Sequence, residues 1–280
     1  MDQVEALRDF LMSRRARLRP DQVGLPVHGL RKVSGLRREE VAGLAAMSVE
    51  HYTRLERGRA SCVSDTVLDA VSDALRLSPG ERRYLRSLAR PTEEDGGAGL
   101  PPERWRGLQS VLDSMAVTPA YLLGRGGAIL AWNRLAAAVF LDFGRLWPEE
   151  RTVGRLVFTD PRVPGLYADW EGKARGTVGL LRSEAGRWPR DEALAGEIRE
   201  LREHSPLFRR LWDEHLVHEQ SHATLQLVCA RAGVPLWLSA SALTVADHPD
   251  LVIAVYTAVP GSDSERALHR LARSVAPAGD

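Results

Sequence analysis

The stretch LRREEVAGLAAMSVEHYTRLERGR, residues 36–59, decides how the first third of the chain folds. Leu36, Val41 and Leu44 give a short helix, and Ala45-Ala46-Met47 follows as a turn too small to project bulk. Ser48 can accept from the free N–H groups of a helix start, so a second helix opens there with Tyr52 and Leu55 facing inward. Gly58 supplies its stop. Two short helices about three residues apart are the helix-turn-helix arrangement. Its second helix, Ser48–Arg57, would lie in a major groove of double-stranded DNA. Val49, Glu50 and Arg54 would meet base edges, with His51 flanking. Arg54 can fork onto guanine, Glu50 can accept from a cytosine amino group, and Val49 can touch a thymine methyl. Arg37, Arg38, Arg57, Arg59 and the Ser48 cap would hold phosphates, which fixes register without reading sequence. Glu56 lies off that face and reads as a salt bridge to an arginine of the first helix, while Tyr52 reads as core.

Outward from this stretch the pattern stays helical. Val4, Leu7, Phe10, Leu11 and Leu18 mark one face of a helix over residues 2–18. Residues 19–34, with Pro20, Gly24, Pro26 and Gly29, form a loop. Cys62 is a small loop residue. Ser64 caps a helix with Val67, Leu68, Val71 and Leu75 inward. Ser78-Pro79-Gly80-Glu81 is a capping box with proline at the first helical position, opening a last helix to about Arg90. Residues 1–90 therefore read as an all-α, five-helix domain. They hold 17 basic and 12 acidic residues, against 21 and 25 in the remainder, within a net charge of +1. A basic part joined to a mildly acidic one suits a polyanion partner for the first part only. The competing reading is a helical domain with a solvated basic face. The agreement of turn, cap and helix end favours the groove-binding one.

Pro91–Pro102, rich in glycine, proline and acid, reads as a linker. All seven tryptophans lie beyond it, in a second domain over residues 103–280. Ala128–Trp132 is strand-like, and Asn133 caps a helix carrying Leu135, Val139 and Phe140. A Pro-Gly loop leads to Tyr167. Helices follow over about 169–185, 191–203 and 207–215. Strand-like runs at Leu225–Val228, Leu236–Val245 and Leu251–Ala258 precede a closing helix, Ser264–Ser274. This is α+β, with helices grouped ahead of antiparallel strands. The aromatic load of Trp132, Phe140, Phe143, Trp147, Phe158, Tyr167, Trp170 and Trp212 has two readings. One is an aromatic core; the other is a concave apolar pocket with a polar anchor such as Asn133 or Arg125. Only two residues are lysine, Lys32 and Lys173.

Composition excludes several classes. With 44% hydrophobic and 27% charged residues, the chain is ordinary globular material. Its longest uncharged run, Ala232–Ala246, is far short of the roughly 20 apolar residues of a membrane span. The start, MDQVEALRDF, is no secretory signal, and two cysteines build no disulfide framework. A cytoplasmic protein is expected. No phosphate loop, GxGxxG or GxSxG appears, so neither a cofactor nor a catalytic centre is implied. One motif dissents. His218-Glu219-Gln-Ser-His222 spells HExxH, which on a helix can hold zinc with the glutamate as general base. A third ligand would come from Asp247 or His248. A DNA-binding protein fused to a zinc-dependent hydrolase is therefore the alternative, and a metal-sensing repressor using His215, His218 and His222 is a third reading.

Residues 36–59 resemble the DNA-binding domain of the XRE (Cro/C1-type) transcriptional regulators, in which the positions of Val49, Glu50 and Arg54 face the groove. The resemblance implies two-fold sites and a homodimer. The segments YLLGRGGAILAWNRLAAAVF, RLVFTDPRVPGLYADWEGKAR, SPLFRRLWDEH and AVYTAVPGS are similar, in order, to the ligand-binding domain of MmyB-like regulators. That domain is a PAS-like sheet wrapped with helices, placed after an XRE domain. The resemblance implies a small apolar ligand of fatty-acyl kind, with Trp132, Asn133, Phe140, Phe143, Phe158, Tyr167, Trp170 and Trp212 as candidate lining. After Trp212 the family shows His-Asp-Val-Arg where this chain has His215-Leu-Val-His218, and residues 219–242 follow its pattern poorly.

Overall fold

A serine or a carboxylate stands at most of the places where the chain turns into a helix. In the computed structural model, which describes residues 3–26, 33–59, 63–90, 105–215, 217, 222–246 and 248–275, five helices come first. These are α1 (Gln3–Arg17), α2 (Arg38–Leu44), α3 (Val49–Glu56), α4 (Asp65–Ala74) and α5 (Pro79–Ala89). Ser48 Oγ accepts from His51 N at 3.1 Å and Ser64 Oγ from Val67 N at 3.3 Å. At Ser78 the capping box is complete: Oγ accepts from Glu81 N and the Glu81 carboxylate from Ser78 N. Phe10, Leu11, Leu36, Val41, Tyr52, Leu55, Leu68, Val71 and Leu85 form the shared core. Val4 and Leu44, near the ends of their helices, stay partly exposed. Cys62 and the linker residues 91–102 lie outside the described residues.

The second part is α+β. Helix α6 (Arg106–Ser114) leads into β1 (Ala120–Leu123) and β2 (Ile129–Trp132). Then come α7 (Arg134–Val139), α8 (Val153–Thr159), α9 (Trp170–Arg187), α10 (Glu192–His204) and α11 (Pro206–Asp213). Strands β3 (His222–Leu227), β4 (Leu236–Val245) and β5 (His248–Thr257) precede α12 (Asp263–Val275). The sheet is antiparallel with order β2-β1-β5-β4-β3. Three strands follow the helices, and the strand-like run at Ala128–Trp132 is β2, whose partner β1 the sequence does not mark and to which β5 returns to pair. A four-residue strand, Ala-Tyr-Leu-Leu, has no polar residue to show alternation.

Side chains alternate across the sheet, as the pleat requires. Ala120, Leu122, Leu251, Ile253 and Val255 pack with Leu112 of α6 on one face. Tyr121, Leu123, Val252, Ala254 and Tyr256 therefore point the other way, toward α9.

Candidate DNA interface and ligand cavity

The turn between α2 and α3 is closed by the backbone. Ala46 N donates to Gly43 O at 3.2 Å and Met47 N to Ala42 O at 3.0 Å, with Ala46 in the left-handed region at φ 51°. This is a helix C-terminal motif that normally takes glycine. It aims α3 away from α2 while Tyr52 and Leu55 lock its inner face, both fully buried. Val49, Glu50, His51 and Arg54 are left exposed together, as are Ser48, Arg57 and Arg59. Among the described residues no carboxylate pairs with Arg54, Arg57 or Arg59. Arg37 and Arg38 differ. Arg37 meets Glu39 at 3.4 Å, and Arg38 is ion-paired with the buried Glu56. Glu56 also takes Arg15 of α1 at 2.8 Å, the salt bridge to the first helix that its position off the groove face suggests.

In the second part, the inner sheet face and α9 enclose a cavity of about 740 Å³. Its sheet wall includes Tyr121, Val252, Ala254 and Tyr256, and its helix wall Lys173, Gly176, Thr177, Leu180 and Glu184. A second, small cavity of about 30 Å³ shares Tyr121, Val153, Tyr167 and Lys173 with it and is lined also by Phe140, Phe143, Leu156 and Val157. The hydroxyls of Tyr121 and Tyr256 share a hydrogen bond of 2.5 Å, and burial pushes both tyrosines up from their ordinary pKa. Burial also raises Tyr167 well above its usual value. It lowers Lys173 to about 8 and raises Glu184, whose carboxylate accepts from Gly126 N at 3.1 Å. The space is mostly apolar with a few separated polar groups, the usual make-up of a small-molecule site.

The opposite side of α9 packs on the helical part. A Cβ at Gly186 would overlap the Tyr84 ring of α5. Arg182 lies over Trp212 at 4.1 Å and donates to its carbonyl. Arg14 of α1 bonds Glu81 at 2.6 Å and donates to His215 O at 2.6 Å. Arg17 donates to Glu214 O at 3.1 Å, and Val217 is buried with the core of the five helices.

A family profile for the MmyB-like transcription regulator ligand binding domain matches residues 105–271, and one for a helix-turn-helix domain matches 7–85. The chain belongs to the MmyB-like transcription regulators. It joins a helix-turn-helix DNA-binding domain to a ligand-binding domain, and neither matched family is catalytic. No curated protein is similar enough to this regulator to count as a match. Among its described residues no helix is long and apolar enough to cross a membrane.

The regulator distributes its aromatic candidates over several places. Tyr167 lines the main cavity, and Phe140 and Phe143 the small one beside it. Trp132 meets Phe143 at 5.4 Å but borders a separate, open cleft of about 890 Å³ beside Arg134 and Arg231. Phe208 meets Phe158 edge-on and stacks on Trp212 where α8 meets α11. Phe158, Trp170 and Trp212 are not on the main cavity wall: Phe158 and Trp212 both pack against Phe208, and Trp212 also borders a cleft of about 620 Å³ with Trp188 and Leu194. Trp147 is 73% exposed. Asn133 is no anchor either: its oxygen accepts from Ala120 N and Ala136 N, and its amide nitrogen donates to Leu112, Met115 and Thr118 carbonyls. Arg125 stacks on Trp188 at 3.9 Å and faces Asp250 at 3.4 Å.

Sequence reasoning missed Lys173, Tyr121, Tyr256 and Glu184. The rarity of lysine in the chain was the one signal that singled out Lys173. Of the HExxH residues, His218 and Glu219 lie outside the described residues, as does Asp247. His222 opens β3. No cluster of three metal-binding side chains occurs among the described residues.

Proposed function

We propose that this regulator is a one-component switch, with residues 1–90 reading DNA, 91–102 linking, and 103–280 sensing. A small, largely apolar ligand of fatty-acyl kind sits between the sheet and α9. Its binding changes how two subunits of a homodimer present α3 to a two-fold site. Val49, Glu50 and Arg54 read base edges, His51 flanks them, and Ser48, Arg57 and Arg59 hold phosphates, with Arg37 and Arg38 nearby. The observation that carries this reading is the double use of α9. One side of that helix borders the cavity, and the other touches α5 of the DNA-binding part through Gly186 and Tyr84. A ligand that favours one seating of α9 also favours one seating of α5. The ligand must bind the two arrangements unequally, since equal affinity shifts nothing.

Native mass spectrometry of protein purified from its own host tests the sensing half, reporting bound small molecules and subunit number together. The expected result is a dimer carrying a small amphiphile, whose removal changes affinity for selected DNA several-fold. A stripped protein that binds DNA as the loaded one does would contradict the switch.

A further inference from the structure

The cleft of about 620 Å³ beside Trp212 lies along the seam between the two parts of the chain. The end of α9, α10 and α11 supply most of its lining, and Glu5 of α1 borders it from the DNA-binding part. It shares no lining residue with the cavity between the sheet and α9. Its inner lining is apolar, since Ala185, Trp188, Leu194 and Trp212 are all buried. Along α10, Ala195, Ile198, Arg199 and Arg202 border it together, because positions three and four apart share one helix face.

The charges of the cleft divide into engaged and unengaged. Arg209 donates to Arg202 O at 2.8 Å and to Glu203 O at 3.0 Å. Asp191 accepts from Leu194 N at 2.9 Å as the cap of α10. Glu200, the acid of α10 beside Arg199, is taken by Arg155 at 2.6 Å. Arg199, Arg202, Glu5 and Glu203 are exposed, and among the described residues none of them is in an ion pair. Two guanidinium groups one turn apart on a helix repel each other, and an anion shared between them relieves that repulsion.

We propose that this cleft is a second small-molecule site, taking an α-amino acid with a large apolar side chain. Its carboxylate would rest on Arg199 and Arg202, its ammonium on Glu5, and its side chain on the apolar lining. A planar carboxylate matches the guanidinium fork through two parallel hydrogen bonds. A plain acid would bring a second negative charge to Glu5, and a plain amine a further positive charge to the arginines. One molecule carrying both signs complements both groups, and a concave apolar site with a few separated polar groups at a domain boundary is a usual place for a small ligand. Glu5 belongs to α1 and the arginines to α10, so the complete site exists only while the two parts are seated as observed. A ligand bridging them stabilises that seating. The site stands apart from the main cavity and from what fills it.

Calorimetry on the full chain tests this with L-phenylalanine, 3-phenylpropionate, which lacks the ammonium, and phenethylamine, which lacks the carboxylate. Wild type should bind phenylalanine about fivefold more tightly than either analogue, the scale of one charge contact at a solvent-facing site. The double variant Arg199→Gln, Arg202→Gln should lose the advantage over phenethylamine and keep that over 3-phenylpropionate. Glu5→Gln should do the reverse. All three side chains are exposed, so both variants should unfold at the wild-type temperature. Equal binding of the three compounds by wild type, binding of none, or a phenylalanine advantage that survives unchanged in both variants overturns the site. Each of those results leaves the reading of the main cavity as it was.

Discussion

Glu56 shows how one residue can serve the DNA-binding face without touching DNA. Its side chain is 1% exposed and holds Arg15, itself 15% exposed, so α1 and α3 are tied by a buried charge pair. Arg38 adds α2 to the same carboxylate. Removing the acid strands a buried guanidinium, an outcome that typically costs about 3–5 kcal/mol. Glu56→Ala should therefore lower the urea midpoint of the whole chain markedly, whereas Glu50→Ala, on the exposed face of the same helix, should leave it nearly unchanged. Ala46 works in the other direction. A left-handed alanine costs about 1 kcal/mol relative to glycine, so Ala46→Gly should raise the unfolding temperature slightly without altering DNA affinity.

Elements decide how far this could be read in advance. The helix starts at Ser48, Ser64 and Ser78 were legible because a cap is a local contract between a hydroxyl and an N–H three residues on. The inward positions of α3 and α4 followed from spacing alone. Strand β1 was not legible, since its partners β2 and β5 define it and β5 lies more than a hundred residues away. The cavity wall was legible only in part, because aromatic content does not say whether a ring faces a void or another ring. Phe140, Phe143 and Tyr167 border space, Phe158 packs against Phe208, and Trp212 does both, stacking on Phe208 while bordering a cleft beside Trp188.

Helix α9 carries one prediction and the turn after α11 another. Gly186→Leu would drive a side chain into the Tyr84 ring. It should separate α5 from α9, seen as faster hydrogen exchange in both helices, while exchange in the sheet strands β1 and β5 stays as in wild type. His215 adds a pH dependence. Burial, followed by the nearby Arg182 and Arg14 charges, lowers its pKa from 6.5. The unfolded chain then binds its proton first, so the stability from a neutral His215 is present above about pH 6.5 and is lost as pH falls below it. Wild type should lose stability over that range more steeply than His215→Asn. Asparagine tolerates the left-handed backbone found there, φ 52°.

Taken whole, the molecule connects the proposed reading helix and the proposed sensing cavity through one packed path: cavity, α9, α5, the five-helix core, α3. That path gives the ligand a mechanical hold on DNA binding only if α3 does enter the groove. Selection of preferred sites from random-sequence DNA tests this most directly, run in parallel on wild type, Arg54→Ala and Arg59→Ala at several salt concentrations. Arg54→Ala should lose preference at one base position per half-site, at a cost of about 1–3 kcal/mol. Arg59→Ala should select the wild-type sequence more weakly and with a shallower salt slope. If Arg54→Ala recovers the same sites with the same affinity as wild type, α3 is not the element that reads sequence.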